Sequence, residues 1–336
     1  ALLLSADANT RIRFKPDTQN GGTSSLSFQA WDLTSGTAGG SADASVSGGI
    51  TAFSSASETA TIAVSDINDA PVLAASGSPV LTGIDENASD PAGDLLSTLF
   101  GGLITDVDTG ASKGIAVTSV DNSNGVWQYT KDGGTSWTAV GSPSATSALL
   151  LSADANTRIR FLPDALNGSA AALSMSFRAW DGTDGGAAGG TADVSSNGGI
   201  TSFSSDLETA TIAVTSVNDA PVLDDSGTPV LTALSENEDS NTGELLSTLF
   251  GGLITDVDTG ASKGIAVTGL SGVNGTWEYS VDGGTNWTSM GSPSAASALL
   301  LSADANTRIR FKPDTQNGGT SSLSFQAWDL TSGTAG

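Results

Sequence analysis

Residues 1–39 and 298–336 are identical, and closely related sequence fills the space between them. "LLSTLFGGLITDVDTGASKGIAVT" occurs at 95–118 and again at 245–268, "ALLLSADANTRIRF" starts at Ala1, Ala148 and Ala298, and "TATIAV" stands at 59–64 and 209–214. Whatever this chain folds into must therefore be built from one unit of about 150 residues, used repeatedly. Such units pack mainly against their neighbours in the array. "NDAP" precedes each restart, at 68–71 and 218–221, and proline has no N–H to continue a strand ladder. These junctions divide the chain into the tail of one repeat (1–69), a whole repeat (70–219) and most of a third (220–336). Because its two ends carry the same sequence, the chain is expected to be a segment of a longer array with a 297-residue, two-unit period.

Within the unit the pattern is β. "GIAVTSV" (114–120), "GVWQYT" (125–130), "TRIRFLP" (157–163), "LSMSFRAW" (173–180) and "ETATIAVTSV" (208–217) alternate apolar and polar residues and are rich in Val, Ile, Thr and aromatics. "TKDGGT" (130–135) is a hairpin signal, with Gly133 or Gly134 supplying positive φ. "DLLSTLFGGL" (94–103) is the one stretch suited to a short helix, and the Gly/Ala/Ser-rich 181–199 segment is expected to be a long loop. Short strands at this spacing predict an all-β fold of tandem antiparallel β-sandwich modules, Ig-like in architecture, in an elongated array.

Composition narrows the chemistry. Thirty-six acidic residues face 12 basic ones, and there is no His or Cys. A net charge of −24 argues against nucleic acid as a partner. Zinc sites of the usual kind, thiol nucleophiles and Ser-His-Asp triads are excluded, leaving only carboxylate chemistry, for which nothing marks a pocket. The expectation is a protein that is not an enzyme. No apolar run reaches 18 residues, so no membrane insertion is expected in this segment.

Acidic residues recur where strands end: Asp106 and Asp108 in "ITDVDTG" (again as Asp256 and Asp258), Asp181 and Asp329 after "AW", and Asp164 with Asn167 in "FLPDALNG". On an extended segment residues i and i+2 face one side, so both carboxylates of Asp-x-Asp can reach one cation. Two carboxylates ~4 Å apart repel by ~1 kcal/mol in water and ~4 kcal/mol at an effective dielectric of ~20. Lys113 and Lys263 are the only basic residues nearby, so a divalent cation is the natural remedy. Calcium, which takes six to eight oxygens at roughly 2.3–2.6 Å, suits this donor set. By contrast, "KDGG" (131–134) reads as a plain turn.

"DINDAP" (66–71) resembles the Asp-x-Asn-Asp-x-Pro linker of cadherin repeats, and "SVNDAP" (216–221) is a looser version with Ser216 in place of the first Asp. "DEN" (85–87), "DVD" (106–108 and 256–258) and "AWDG" (179–182) resemble the other cadherin calcium motifs in the same order, although the Leu-Asp-Arg-Glu motif is absent. The stretch 161–221 is similar to the cadherin-like domains of giant bacterial surface adhesins. The resemblance implies calcium between consecutive modules. At the first junction Asp17, Asp66, Asn68 and Asp69 would face Asp106, Asp108 and Asp181. At the second, Glu86 and Asp164 would meet Asn218, Asp219, Asp256, Asp258 and Asp329. It also implies an extracellular place on a bacterial cell surface, with neighbouring modules of the same chain as partners and identical chains as further ones in a fibre. The function expected is thus a calcium-stiffened stalk; the alternatives are a self-assembling fibre or sheath, and a glycan-binding module using Trp127 and Trp137.

Overall fold

The computed structural model describes residues 1–336 except Asn167 and Ala170, so Asn167 lies outside the described residues. The chain is almost wholly β, arranged as several small sheets with two short helices. Alternation translates directly into burial. In the Leu173–Trp180 strand, Leu173, Met175, Phe177 and Ala179 are buried, while Ser174, Ser176 and Arg178 face outward.

The first 69 residues contain one long hairpin. Strand β1 (Gly22–Trp31) pairs antiparallel with β2 (Phe53–Val64), in a register that sets Leu26 opposite Ala60 and Phe28 opposite Glu58. Leu26, Phe28 and Ile62 in this hairpin are about half exposed.

Apart from two short two-stranded pairings, the middle repeat has two main sheets. One has five strands in the order Thr191–Ala192, Ala148–Ser152, Gly114–Val120, Leu173–Trp180, Glu208–Ile212; the other has four, in the order Asp94–Leu95, Arg158–Pro163, Gly125–Thr130, Thr138–Ala139. Side chains from both meet in one core containing Ile115, Val117, Trp127, Ile159, Phe161 and Phe177. Trp127 and Phe161 meet edge to face at 5.6 Å. The helix Leu96–Leu99 closes one end, with Phe100 held 4.6 Å from Phe177. Each such aromatic removed from water contributes ~1.5–3 kcal/mol. The expected hairpin turn forms at Gly133 and Gly134, both at positive φ. The expected loop 181–199 includes the two-residue strand Thr191–Ala192.

Segment 79–86 lies along the outer edge of the last strand and runs parallel to it. Leu81 N donates to Thr211 O at 2.8 Å, Thr211 N to Pro79 O at 3.0 Å, Ile84 N to Ala213 O at 3.1 Å and Glu86 N to Thr215 O at 3.0 Å. The start and the end of the repeat are thereby stitched together, Ile84–Asp85 pairing with Val214–Thr215.

The third repeat copies the four-stranded sheet (Glu244–Leu245, Arg308–Pro313, Gly275–Ser280, Thr288–Ser289), but its other sheet has three strands: Leu299–Ser302, Gly264–Ser271 and Ser322–Trp328. Phe250 and Phe325 again sit 4.6 Å apart, and Trp277 and Phe311 5.5 Å. Trp137 and Trp287 are half-buried, each covered by a guanidinium, Arg160 or Arg310, at 4.0 Å.

Candidate metal centre

Both linkers fold the same way because Asn and Asp meet the same acceptors and donors twice. Pro71 and Pro221 hold the preceding residue extended. At the first junction Asn68 Nδ2 donates to Asp69 O (3.2 Å), Asp181 Oδ2 (3.1 Å) and Thr201 O (3.1 Å), while Ala70 N reaches Gly199 O at 2.8 Å. At the second, Asn218 Nδ2 donates to Asp219 O (3.1 Å) and Asp329 Oδ2 (2.8 Å). The linker aspartate then ties backward to the next repeat: Asp69 N donates to Asp108 Oδ2 at 2.8 Å, and Asp219 N to Asp258 Oδ2 at 2.9 Å. Within each Asp-x-Asp, the second amide caps the first carboxylate: Asp108 N to Asp106 Oδ1 and Asp258 N to Asp256 Oδ1, both 2.9 Å.

Within each Asp-x-Asp these bonds use one oxygen of each carboxylate. The other oxygens, Asp106 Oδ2 and Asp108 Oδ1 at one junction and Asp256 Oδ2 and Asp258 Oδ1 at the other, are buried with no hydrogen-bond donor, and so is Asp219 Oδ2 of the second linker. A buried, unsatisfied carboxylate oxygen is costly unless a cation meets it. Lys113 and Lys263 do not supply one: their ammonium groups bond to Gly101 O and Gly251 O, at 2.9 and 3.3 Å.

Burial pushes the Asp106 carboxyl above the ordinary range, and the charges of Asp108, Asp181 and Asp69 add to this against the opposing amide of Asp108. Asp329 moves the other way: burial opposes its ionisation, but bonds from the Thr331 amide, Asn218 and the Thr331 hydroxyl outweigh it. Asp181 and Asp329 are both buried.

Glu86 comes from the far end of the middle repeat. The parallel pairing of Ile84–Asp85 with Val214–Thr215 carries it to the linker, where it is fully buried and Oε1 accepts from Val217 N. Ligand oxygens of Glu86, Asp219 and Asp258 lie within 4.8 Å of one another. The first junction has no counterpart of Glu86 in this chain.

Of the residues singled out from sequence, the structure gathers Asn68, Asp69, Asp106, Asp108 and Asp181 at one junction and Glu86, Asn218, Asp219, Asp256, Asp258 and Asp329 at the other. Asp66 Oδ1 accepts from Gly21 N at 2.6 Å, pinning the preceding turn to the linker. Asp17 and Asp164 are exposed and cap their own turns, accepting from Gln19 N and Leu166 N, each at 3.1 Å. The sequence reading missed Asn20. Its Nδ2 donates to Val107 O (2.9 Å) and its Oδ1 accepts from Thr109 N (2.9 Å) and Thr109 Oγ1 (3.0 Å), clamping one repeat to the Asp-x-Asp loop of the next. The recurring Asn-Gly pair at 20–21, 167–168 and 317–318 was the available signal.

The donors are all oxygens, a set that suits a hard cation rather than a soft transition metal. The chain matches no protein-family model, no curated protein and no solved structure.

Proposed function

We propose that the chain is a row of cadherin-like β-sandwich modules stiffened by calcium at their junctions, serving as an extracellular stalk of a bacterial surface adhesin. One observation carries the calcium reading: the same carboxylate oxygens are left buried and unpartnered at two junctions 150 residues apart. The loops that carry these oxygens are identical in sequence at 95–118 and 245–268, so the arrangement is a property of the repeat itself. The near-identity of the repeats supports the stalk, because a spacer works by length and every copy does the same job. Extracellular modules bind calcium at ~10⁻⁴–10⁻³ M, so a calcium-rich exterior would keep such a row rigid.

Small-angle scattering of the chain in millimolar calcium and then in excess chelator tests this. Calcium removal is expected to broaden the distance distribution, with calorimetry registering binding. An unchanged profile together with no heat of binding refutes it.

A further inference from the structure

We propose that Asn20 is a one-way chemical latch: the closed first junction protects its side-chain amide, and an opened junction lets that amide leave as ammonia, after which the junction no longer closes. The inference goes beyond the calcium reading and does not depend on it, because the partners of Asn20 are backbone groups and a hydroxyl.

An asparagine followed by glycine is especially prone to self-modification, since glycine has no side chain to hinder its own backbone nitrogen and rotates freely. Such pairs stand at 20–21, 124–125, 167–168, 197–198, 274–275 and 317–318. Asn124 and Asn274 donate within their own repeats, to Gly168 O and Gly318 O. Asn197 donates within its own loop, to Val194 O and Ser195 O. Among the described residues, Asn20 is the one asparagine of these pairs that bridges two repeats.

The reaction needs two atoms to meet. Gly21 N loses its proton to solvent and attacks Asn20 Cγ; the Cγ–Nδ2 bond breaks, ammonia leaves and a succinimide ring closes. Water then opens the ring at either carbonyl, giving aspartate or isoaspartate. Water is the only co-reactant, nothing is oxidised or reduced, and Asn20 is exposed to solvent.

In the closed junction both atoms are held. Asn20 Nδ2 donates to Val107 O at 2.9 Å, and Oδ1 accepts from Thr109 N at 2.9 Å and Thr109 Oγ1 at 3.0 Å, which fixes the plane of the amide. Gly21 N donates to Asp66 Oδ1 at 2.6 Å, and Gly21 packs so closely on the Asp66 backbone that no Cβ fits. Cyclisation requires the amide to turn towards Gly21 N, so the three bonds to the next repeat must break first. Opening the junction breaks them together, and modification then proceeds from the open state.

Either product blocks reclosure. Aspartate puts an oxygen where Nδ2 donated, facing Val107 O, and adds a negative charge beside a loop that already carries Asp106 and Asp108. Isoaspartate inserts a methylene into the main chain directly before Gly21, which has no room to shift against Asp66.

The test follows residue 20 by mass spectrometry at mildly alkaline pH and one fixed calcium concentration, with conversion localised by fragmentation of the tryptic peptide 14–113. A synthetic peptide of residues 14–31 gives the unprotected rate. Conversion in the folded chain is expected to be slower than in the peptide by roughly tenfold or more, since several hydrogen bonds must open first. Thr109→Ala removes one of the three bonds and touches no candidate cation ligand; it should raise the rate several-fold with strand content unchanged. The converted chain, separated by ion exchange, should show faster hydrogen exchange at the Thr109 amide than the unconverted chain in the same buffer. Equal rates in chain and peptide overturn the protection, and an unchanged rate in Thr109→Ala overturns the clamp as its cause. A converted chain whose Thr109 amide is as protected as before overturns the latch.

Discussion

Replacing Asp258 by Asn separates a metal ligand from an ordinary hydrogen-bonding aspartate. The ligand oxygens of Asp258, Glu86 and Asp219 lie within 4.8 Å of one another, a separation at which two unit charges repel by ~0.9 kcal/mol in water and ~3.5 kcal/mol at an effective dielectric of ~20. Asp258 takes part in two such pairs. The amide keeps an oxygen to accept from Asp219 N and places an N–H₂ where Oδ1 lacks a donor. After allowing for the weaker neutral hydrogen bond, the variant should gain roughly 1–4 kcal/mol in the absence of metal. For a unit of this size that raises the melting temperature by roughly 2–4 °C per kcal/mol. With calcium the effect is opposite. A site of Kd ~10⁻⁴ M in about 5 mM calcium adds ~2.3 kcal/mol, and a tenfold loss of affinity cuts this to ~1.1 kcal/mol. Differential scanning calorimetry in chelator and in calcium reads both quantities. The expected outcome is a higher melting temperature in chelator and a smaller increment on adding calcium. A variant that is less stable in chelator, or that keeps the full calcium increment, would refute the argument that these oxygens await a cation.

Asn20→Ala removes three hydrogen bonds between the first two repeats and should cost ~1–3 kcal/mol at that junction, seen as faster exchange of the Thr109 amide with strand content unchanged. Gly21→Ala places a Cβ 2.4 Å from Asp66 N, so the turn must move off the linker; ~1–3 kcal/mol of lost stability and earlier proteolysis near residue 66 are expected. Asp282 is held down to about 2 by the Asn286 amide, with the Ser280 hydroxyl and the Asn286 side chain adding to it. A depressed carboxyl stabilises the fold above its unfolded value of ~3.9 and loses that contribution as pH falls through its folded value, so the Gly283–Gly284 turn should loosen between pH ~4 and ~2, as followed by Trp287 fluorescence. Asp106 titrates in the reverse sense: its raised value means that the metal-free first junction is relieved as pH falls through that value and burdened above it. Mild acidification in chelator should therefore slow amide exchange around Asp69 before the turns give way.

The strands were legible because alternation is a local property: each of Gly114–Val120, Gly125–Thr130 and Leu173–Trp180 falls where the pattern places it. The Asp-x-Asp loops were legible for the same reason, since spacing alone puts both carboxylates on one side. Glu86 came from its motif rather than from spacing; what brings it to Val217 is a parallel pairing across 131 residues, which no local pattern records. Asp17 and Asp164 show the limit. An aspartate following proline can cap its own turn or face a metal, and the residue types are the same in both cases. Asn20 escaped because its partners, Val107 and Thr109, belong to the next repeat and act through backbone groups and a hydroxyl, which leave no charge pattern.

The stitching of segment 79–86 to 211–215 has a mechanical meaning. Because the two run in the same direction, tension applied to the chain before residue 79 and after residue 215 slides them past each other. The bonds from Leu81, Thr211, Ile84 and Glu86 are then loaded together, in shear, instead of being unzipped one by one. A cation beside Glu86 would bind the last of these residues to the following repeat, so the point where force enters the unit is also where it is most strongly cross-linked. The fold thus resists extension along its own length, with its weaker direction lying across the sheets.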